Sequence, residues 1–186
     1  MTASTLLFST KMADVHLINH KFAQPLQQYL VANKQRLAPF EPARDADYFT
    51  LDSIKNRIDA MLDDYQQQRG ISMLITLLDS CQVIGSVNFT GFMYGVFQAG
   101  YLGFSIDKDF EGQGIMRAVL TDALQYVHAQ YGLHRIMANH LPDNNQSARL
   151  LKRLGFEKEG YAKSYLKING QWRDHVLNSI VFEDSI

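Results

Sequence analysis

"DKDFEGQGIMRAVLTDALQYV", residues 107–127, decides how this chain is read. It follows an apolar run, "YLGFSI" (101–106), and sets two glycines, Gly112 and Gly114, directly before a helical pattern. Ile115, Val119, Leu120, Ala123, Leu124 and Val127 fall on one stripe of that helix. A strand, then Gly-x-Gly, then a helix leaves bare backbone at the helix mouth. Up to four N–H groups there lack an intrahelical partner, and they carry a partial positive charge. Glycines let a phosphate approach such donors closely. The alternative is a turn that needs glycine for its own sake. Asp107, Asp109 and Glu111 speak for that alternative, because they would repel a pyrophosphate. An exposed, screened carboxylate is worth well under ~1 kcal/mol. Each directed N–H bond to a charged group contributes ~1.5–3 kcal/mol.

Outward from this stretch the chain alternates strands and helices. "DVHLI" (14–18) is a strand, and an amphipathic helix spans about 21–33. "LAPFEP" (37–42) holds two prolines and sets a rigid loop. A second helix covers about 51–68, with Leu51, Ile54, Ile58, Met61, Leu62 and Tyr65 at helical spacing, and Gly70 marks its stop. "ISMLITLL" and "QVIGSVNFTGF" flank "DSC" as a hairpin, and "QAGYLGFSI" is the next strand. After the Gly-x-Gly helix come the strand "HRIMANHL", a helix "DNNQSARLLKRLGF" ending at Gly155, and a hairpin turning at Asn169-Gly170. The order β α α β β β α β α β β predicts an α/β domain with a mixed sheet. The whole chain, 1–186, reads as one domain.

Composition narrows the class. The chain is 46% hydrophobic and 11% aromatic, which is globular. Its net charge of −1 gives no overall field toward nucleic acid or an anionic membrane, so neither is expected as a partner. Its one cysteine, Cys81, cannot form an internal disulfide, which suits a reducing compartment. The first fourteen residues lack the basic and apolar regions of a signal peptide. No apolar run reaches the ~18 residues of a membrane span. A cytoplasmic protein is expected. His16 and His20 are four apart but have no further ligand set around them, so no metal site is expected. No Ser-His-Asp or Cys-His arrangement stands in a recognised context.

A second motif, "NNQSARLLKRLGF" (144–156), stands one strand after the Gly-x-Gly helix. Together the two resemble the GNAT family of acetyl-CoA-dependent N-acetyltransferases. The first family motif is Gln/Arg-x-x-Gly-x-Gly/Ala, and Asp109 departs from it at the Gln/Arg place. The second, Asn-x-x-Ser and then a helix ending Leu-Gly-Phe, is matched by Asn144, Ser147, Leu154, Gly155 and Phe156. "LAPFEP", "VIGSVNF", "YLGFSI", "HRIMANHLPDNNQS" and "LGFEKEGYAKSYLKINGQWRDHV" are similar to the ribosomal-protein alanine N-acetyltransferases of RimJ type, over about residues 37–176.

The resemblance implies a central mixed, mostly antiparallel sheet of about seven strands with helices on both faces, splayed between the strands at about 98–107 and 134–141. Acetyl-CoA would be the co-substrate. Its pantetheine would fill the gap and bond the backbone of Phe104, Ser105 and Ile106. Its pyrophosphate would sit on the amides of Gly112, Gln113, Gly114, Ile115 and Met116. Asn144 would bond pantetheine, cap its helix, or do both. Arg153 would meet the 3′-phosphate, unless it is simply solvated. Ser147 would protonate the departing thiolate, or only satisfy local backbone. Tyr161 and Tyr165 are alternatives to it.

The resemblance further implies direct attack of an amine on the thioester, without an acyl-enzyme. The acceptor would be the N-terminal α-amine of a small-subunit ribosomal protein beginning with alanine, with contact to the ribosome or an assembly intermediate. An α-amine of pKa ~8 is roughly one-tenth neutral at pH ~7, whereas a lysine of pKa ~10.4 is neutral in about four cases in ten thousand. Such an acceptor needs little base. His140, on the splayed strand, and Glu41, in the loop beside the acceptor site, are the candidate bases. Two other classes stay open: a small-molecule amine acetyltransferase, and a CoA-binding assembly or regulatory protein without turnover.

Overall fold

Eight strands join edge to edge in the computed structural model, which describes residues 5–183. Residues 1–4, part of the stretch read for a leader, lie outside the described residues. The strands are β1 (Leu6–Ser9), β2 (Ala13–Leu17), β3 (Ile71–Leu77), β4 (Val83–Met93), β5 (Ala99–Ile106), β6 (Arg135–Met137), β7 (Glu157–Ile168) and β8 (Gln171–Val181). Their order is β1-β2-β3-β4-β5-β6-β8-β7. Among the described residues only β5 and β6 pair in parallel. The strand beyond the expected seven is β1, a four-residue edge segment too short to show a period. The helices are α1 (Ala23–Leu37), α2 (Leu51–Gln66), α3 (Ile115–Tyr131) and α4 (Asn145–Arg153).

Two apolar clusters pack the two faces of this sheet. Ile115, Met116, Val119, Leu120, Ala123, Leu124 and Val127 of α3 join Met73, Ile75, Val87, Phe89 and Leu102 in the larger. That is the stripe read from the sequence, with Met116 added. Leu26 and Tyr29 of α1 and Ile54 and Ile58 of α2 close the smaller one over Leu74 and Val83. Thr50 caps α2 through its hydroxyl, which accepts from the amide of Ser53.

Two helix ends differ from the sequence reading. α1 continues past residue 33 to Leu37, and "LAPFEP" begins with a 3-10 turn at Ala38–Phe40. Gly70 is not the stop of α2. The left-handed residue after α2 is Gln68, at φ 54°. Gly70 instead lets two backbones meet, since a Cβ there would stand 2.7 Å from the carbonyl of Phe89.

A fork in the sheet positions the site. β5 and β6 run together for three pairs, Ala99↔Arg135, Gly100↔Ile136 and Tyr101↔Met137. β5 then continues to Ile106. The other chain bends away and bonds to β8, where His140 and Val176 exchange both backbone hydrogen bonds at 3.1 and 2.9 Å.

Candidate active site

Past Tyr101 no strand among the described residues lies beside the outer edge of β5, so most of its backbone groups there are open. Alternation decides which residues own them. The amide of Asp107 donates to Ile84 of β4, whereas the carbonyl of Gln98 accepts from His134 and Arg135 on the β6 side. Odd-numbered residues of β5 therefore turn their N–H and C=O groups to β4, and even-numbered ones turn them to the fork. Of the three residues expected to present free backbone, Phe104 and Ile106 do so and Ser105 does not. Ser105 is paired with Ser86. Its hydroxyl lies 3.2 Å from that of Ser86 and accepts from Tyr29 at 2.8 Å. The carbonyl of Ile106 is also occupied, by the guanidinium of Arg36.

The loop from β5 to α3 answers the question raised by its glycines. Gly112 and Gly114 have φ of 72° and 83°, a region that disfavours any side chain. The turn thus needs glycine on conformational grounds. It also leaves room, because nothing lies within 4 Å of a Cβ built on either residue. Gly114 is the N-cap of α3, and no side chain caps the helix. The side chain of Gln113 is turned back onto the carbonyl of Asp109, at 2.8 Å. The site thus has a helix mouth with uncapped amides, a bare approach and an open strand edge, a donor set suited to a phosphate joined to an amide-bearing arm.

Three side chains of α1, at 29, 33 and 36, tie this loop down. They stand about one helical turn apart, on one face. Tyr29 holds Ser105, Asn33 donates to Asp107 at 2.6 Å, and Arg36 pairs with Glu111 at 2.7 Å. Asp107 also caps the 3-10 turn through the amide of Asp109. Two of the carboxylates that threatened an anion site are thereby spent on α1. Burial pushes the Tyr29 hydroxyl up to about 12, so it stays a donor.

α4 brings its first turn to the same loop. Gln146 donates to the other oxygen of Glu111 at 3.2 Å. Asn144 caps α4, its side chain accepting from the amide of Ser147 at 3.1 Å. Ser147 is half-buried, and its hydroxyl has no hydrogen-bond partner among the described residues. Arg153 is exposed in the last turn.

Across the fork lies a group that sequence reasoning only partly anticipated. His140 is 8% exposed, with Nδ1 against the carbonyl of Leu141 at 2.8 Å. His175, which no motif singled out, is 4% exposed and has Nδ1 at 3.1 Å from the carbonyl of Arg173. Burial lowers the pKa of His175, the carbonyl of Arg173 opposes this, and the charges of His140 and Arg173 lower it further. Tyr165 reaches the diverging arm of the fork, its hydroxyl accepting from the side-chain amide of Asn139 at 3.4 Å, and burial first, then Tyr101 of β5, raise its pKa. Glu41 stands in the loop after α1, half-buried, and its carbonyl accepts from Asn169 in the β7–β8 turn at 2.8 Å. Burial raises its pKa, and Arg44, Arg57 and Arg36 pull the other way.

Known proteins align with this geometry. The sequence model of the acetyltransferase (GNAT) domain matches residues 19–157. The [ribosomal protein uS5]-alanine N-acetyltransferase of Escherichia coli K12 is 41% identical over 178 residues, covering 95% of this chain and 91% of that protein. The crystal structure of the ribosomal-protein-S5-alanine acetyltransferase from Vibrio fischeri superposes with a TM-score of 0.91 at 34% identity, over 95% of this chain and 97% of the other. RimJ of Mycobacterium smegmatis, solved in complex with CoA-disulfide, does so at 0.86 and 25% identity, over 91% and 81%.

Proposed function

Since this chain belongs to the acetyltransferase (GNAT) family, we propose that it transfers the acetyl group of acetyl-CoA to the N-terminal α-amine of a small-subunit ribosomal protein beginning with alanine. The observation that carries the donor half is the uncapped mouth of α3 opening beside the unpaired edge of β5. The acceptor half rests on the likeness to the alanine N-acetyltransferases.

Acetyl-CoA supplies an electrophilic thioester carbonyl. The amides of residues 112–116 hold the pyrophosphate. The N–H and C=O of Phe104 and the N–H of Ile106 take the place of a neighbouring strand for pantetheine. Ser105 acts at one remove, by fixing β5 to α1 through Tyr29. Asn144 orders the first turn of α4, which leaves the Ser147 hydroxyl free to give its proton to the departing thiolate. Arg153, exposed and beside Lys152, is the cation for the 3′-phosphate. Glu41 receives the proton of the attacking amine, since a carboxyl of raised pKa is the better base. His140 holds the diverging strand against β8.

One peptide beginning with alanine and carrying an internal lysine tests the reading. After incubation with acetyl-CoA, fragment mass spectrometry should place acetyl on the α-amine alone. Acetyl on a small amine such as spermidine but on no peptide, or CoA binding with no transfer at all, overturns it.

A further inference from the structure

Glycine in a strand interior costs ~0.5–1 kcal/mol relative to alanine, so a mid-strand glycine asks for a reason. Gly85 has one in backbone packing, for a Cβ there would meet the carbonyl of Ser105 at 2.6 Å. Gly100 has one in Phe92, at 2.9 Å. Gly103, in the middle of β5, has neither. Its φ lies outside the left-handed region, and among the described residues nothing stands within 4 Å of a Cβ built on it. The residue is exposed.

The surroundings define a gap. Tyr101 and Ser105 flank Gly103 on the same face, the one turned toward α1. Ser105 is held in place by the Tyr29 hydroxyl, which donates to it at 2.8 Å. Asn88 of β4 lies directly opposite Gly103. It is half-buried, and its carboxamide makes no hydrogen bond among the described residues. That side chain is an unspent donor and acceptor beside an empty floor. Next along the strand is Phe104, whose backbone opens into the fork. The helices with the uncapped mouth, α3, and with Ser147, α4, pack in the cluster on the opposite face. An acyl group presented from that side is met by its nucleophile from this one.

We propose that the gap over Gly103 seats the first residue of the acceptor, that the Asn88 carboxamide bonds the acceptor's backbone, and that the missing Cβ at position 103 sets how large that residue can be. This rests on the α-amine reading above and deepens it, because a small first side chain is what such a floor admits. Gly103→Ala is the test. The backbone conformation accepts alanine and the space beside it is free, so the variant folds.

Peptides beginning with glycine, alanine and serine are compared by kcat/KM. In the variant the alanine peptide should lose about tenfold or more, through KM, and the glycine peptide less, the penalty expected for one misplaced methyl group. Acetyl-CoA binding by equilibrium dialysis should not move, and the Tm should hold or rise slightly, since alanine costs a strand less than glycine. Asn88→Ala should raise KM for all the peptides alike. An unchanged preference in an active Gly103→Ala variant overturns this proposal alone. Weakened acetyl-CoA binding also overturns it, since the gap then belongs to the donor. A wild-type protein that acetylates none of the peptides removes the α-amine reading and this proposal with it.

Discussion

Arg36 is the residue whose loss should show most clearly how α1 serves the glycine loop. Its guanidinium bonds Glu111 at 2.7 Å, the carbonyl of Ile106, and Asn33 at 3.2 Å. The side chains of the ion pair are 30% and 28% exposed. That lies between exposed pairs, at ~0.2–1 kcal/mol, and one-sided loss of a buried pair, at ~3–5 kcal/mol. Adding the freed carbonyl, we expect Arg36→Ala to destabilise by about 2 kcal/mol. For a chain of this size that lowers Tm by about 4–8 °C. The variant also leaves the Glu111 carboxylate without its counter-charge, one residue before Gly112. An unpaired charge there should weaken CoA binding by up to ~1 kcal/mol, about fivefold, and less at high salt. Adding Glu111→Gln separates the two effects. The double variant should regain CoA affinity but not Tm, because the Ile106 carbonyl stays unpaired. Calorimetry of unfolding and of CoA binding, at low and high salt, reads both. A double variant that binds CoA no better than the single one refutes the electrostatic reasoning.

Ser147→Ala should lower kcat by ~10²-fold or more with CoA affinity unchanged, as steady-state kinetics beside dialysis would record. Glu41 has a raised pKa, so its charge costs stability at neutral pH, and the cost vanishes below the unfolded value near ~4.3. Glu41→Gln should therefore raise Tm at pH ~7 and lose that gain toward pH ~4. His175 has the opposite sign. Its depressed pKa keeps stability above the unfolded value of ~6.5 and forfeits it as pH falls through the folded one. His175→Gln should flatten the Tm profile between pH ~7 and ~5.

Local features were the legible ones. The α3 stripe, the paired glycines and the Asn-x-x-Ser cap all act within a few residues of one another. The Asn169-Gly170 turn is another, and both its residues take positive φ, 45° and 80°. What the sequence hid acts at long range. Tyr29, Asn33 and Arg36 meet partners 70 to 76 residues away. Their helical spacing was visible, but not what they would face. The same contacts explain why α1 outlasts the expected residue 33. The reading of Ser105 failed on parity, since the side to which a strand residue turns its amide follows from a register that only the paired strand fixes. Gly70 reads as a helix stop from sequence because a glycine after a helix often is one. Its actual neighbour, Phe89, comes from another strand. His175 lies inside the block "LGFEKEGYAKSYLKINGQWRDHV" with nothing there to single it out, and becomes notable only once β8 carries it to His140.

The central claim is where acetyl-CoA lies, and amide hydrogen exchange with and without it tests that directly. The account predicts new protection at residues 112–117 and at 104 and 106, with residues 51–66 of α2 unchanged. Protection confined to other elements, with 112–117 exchanging as before, would contradict it.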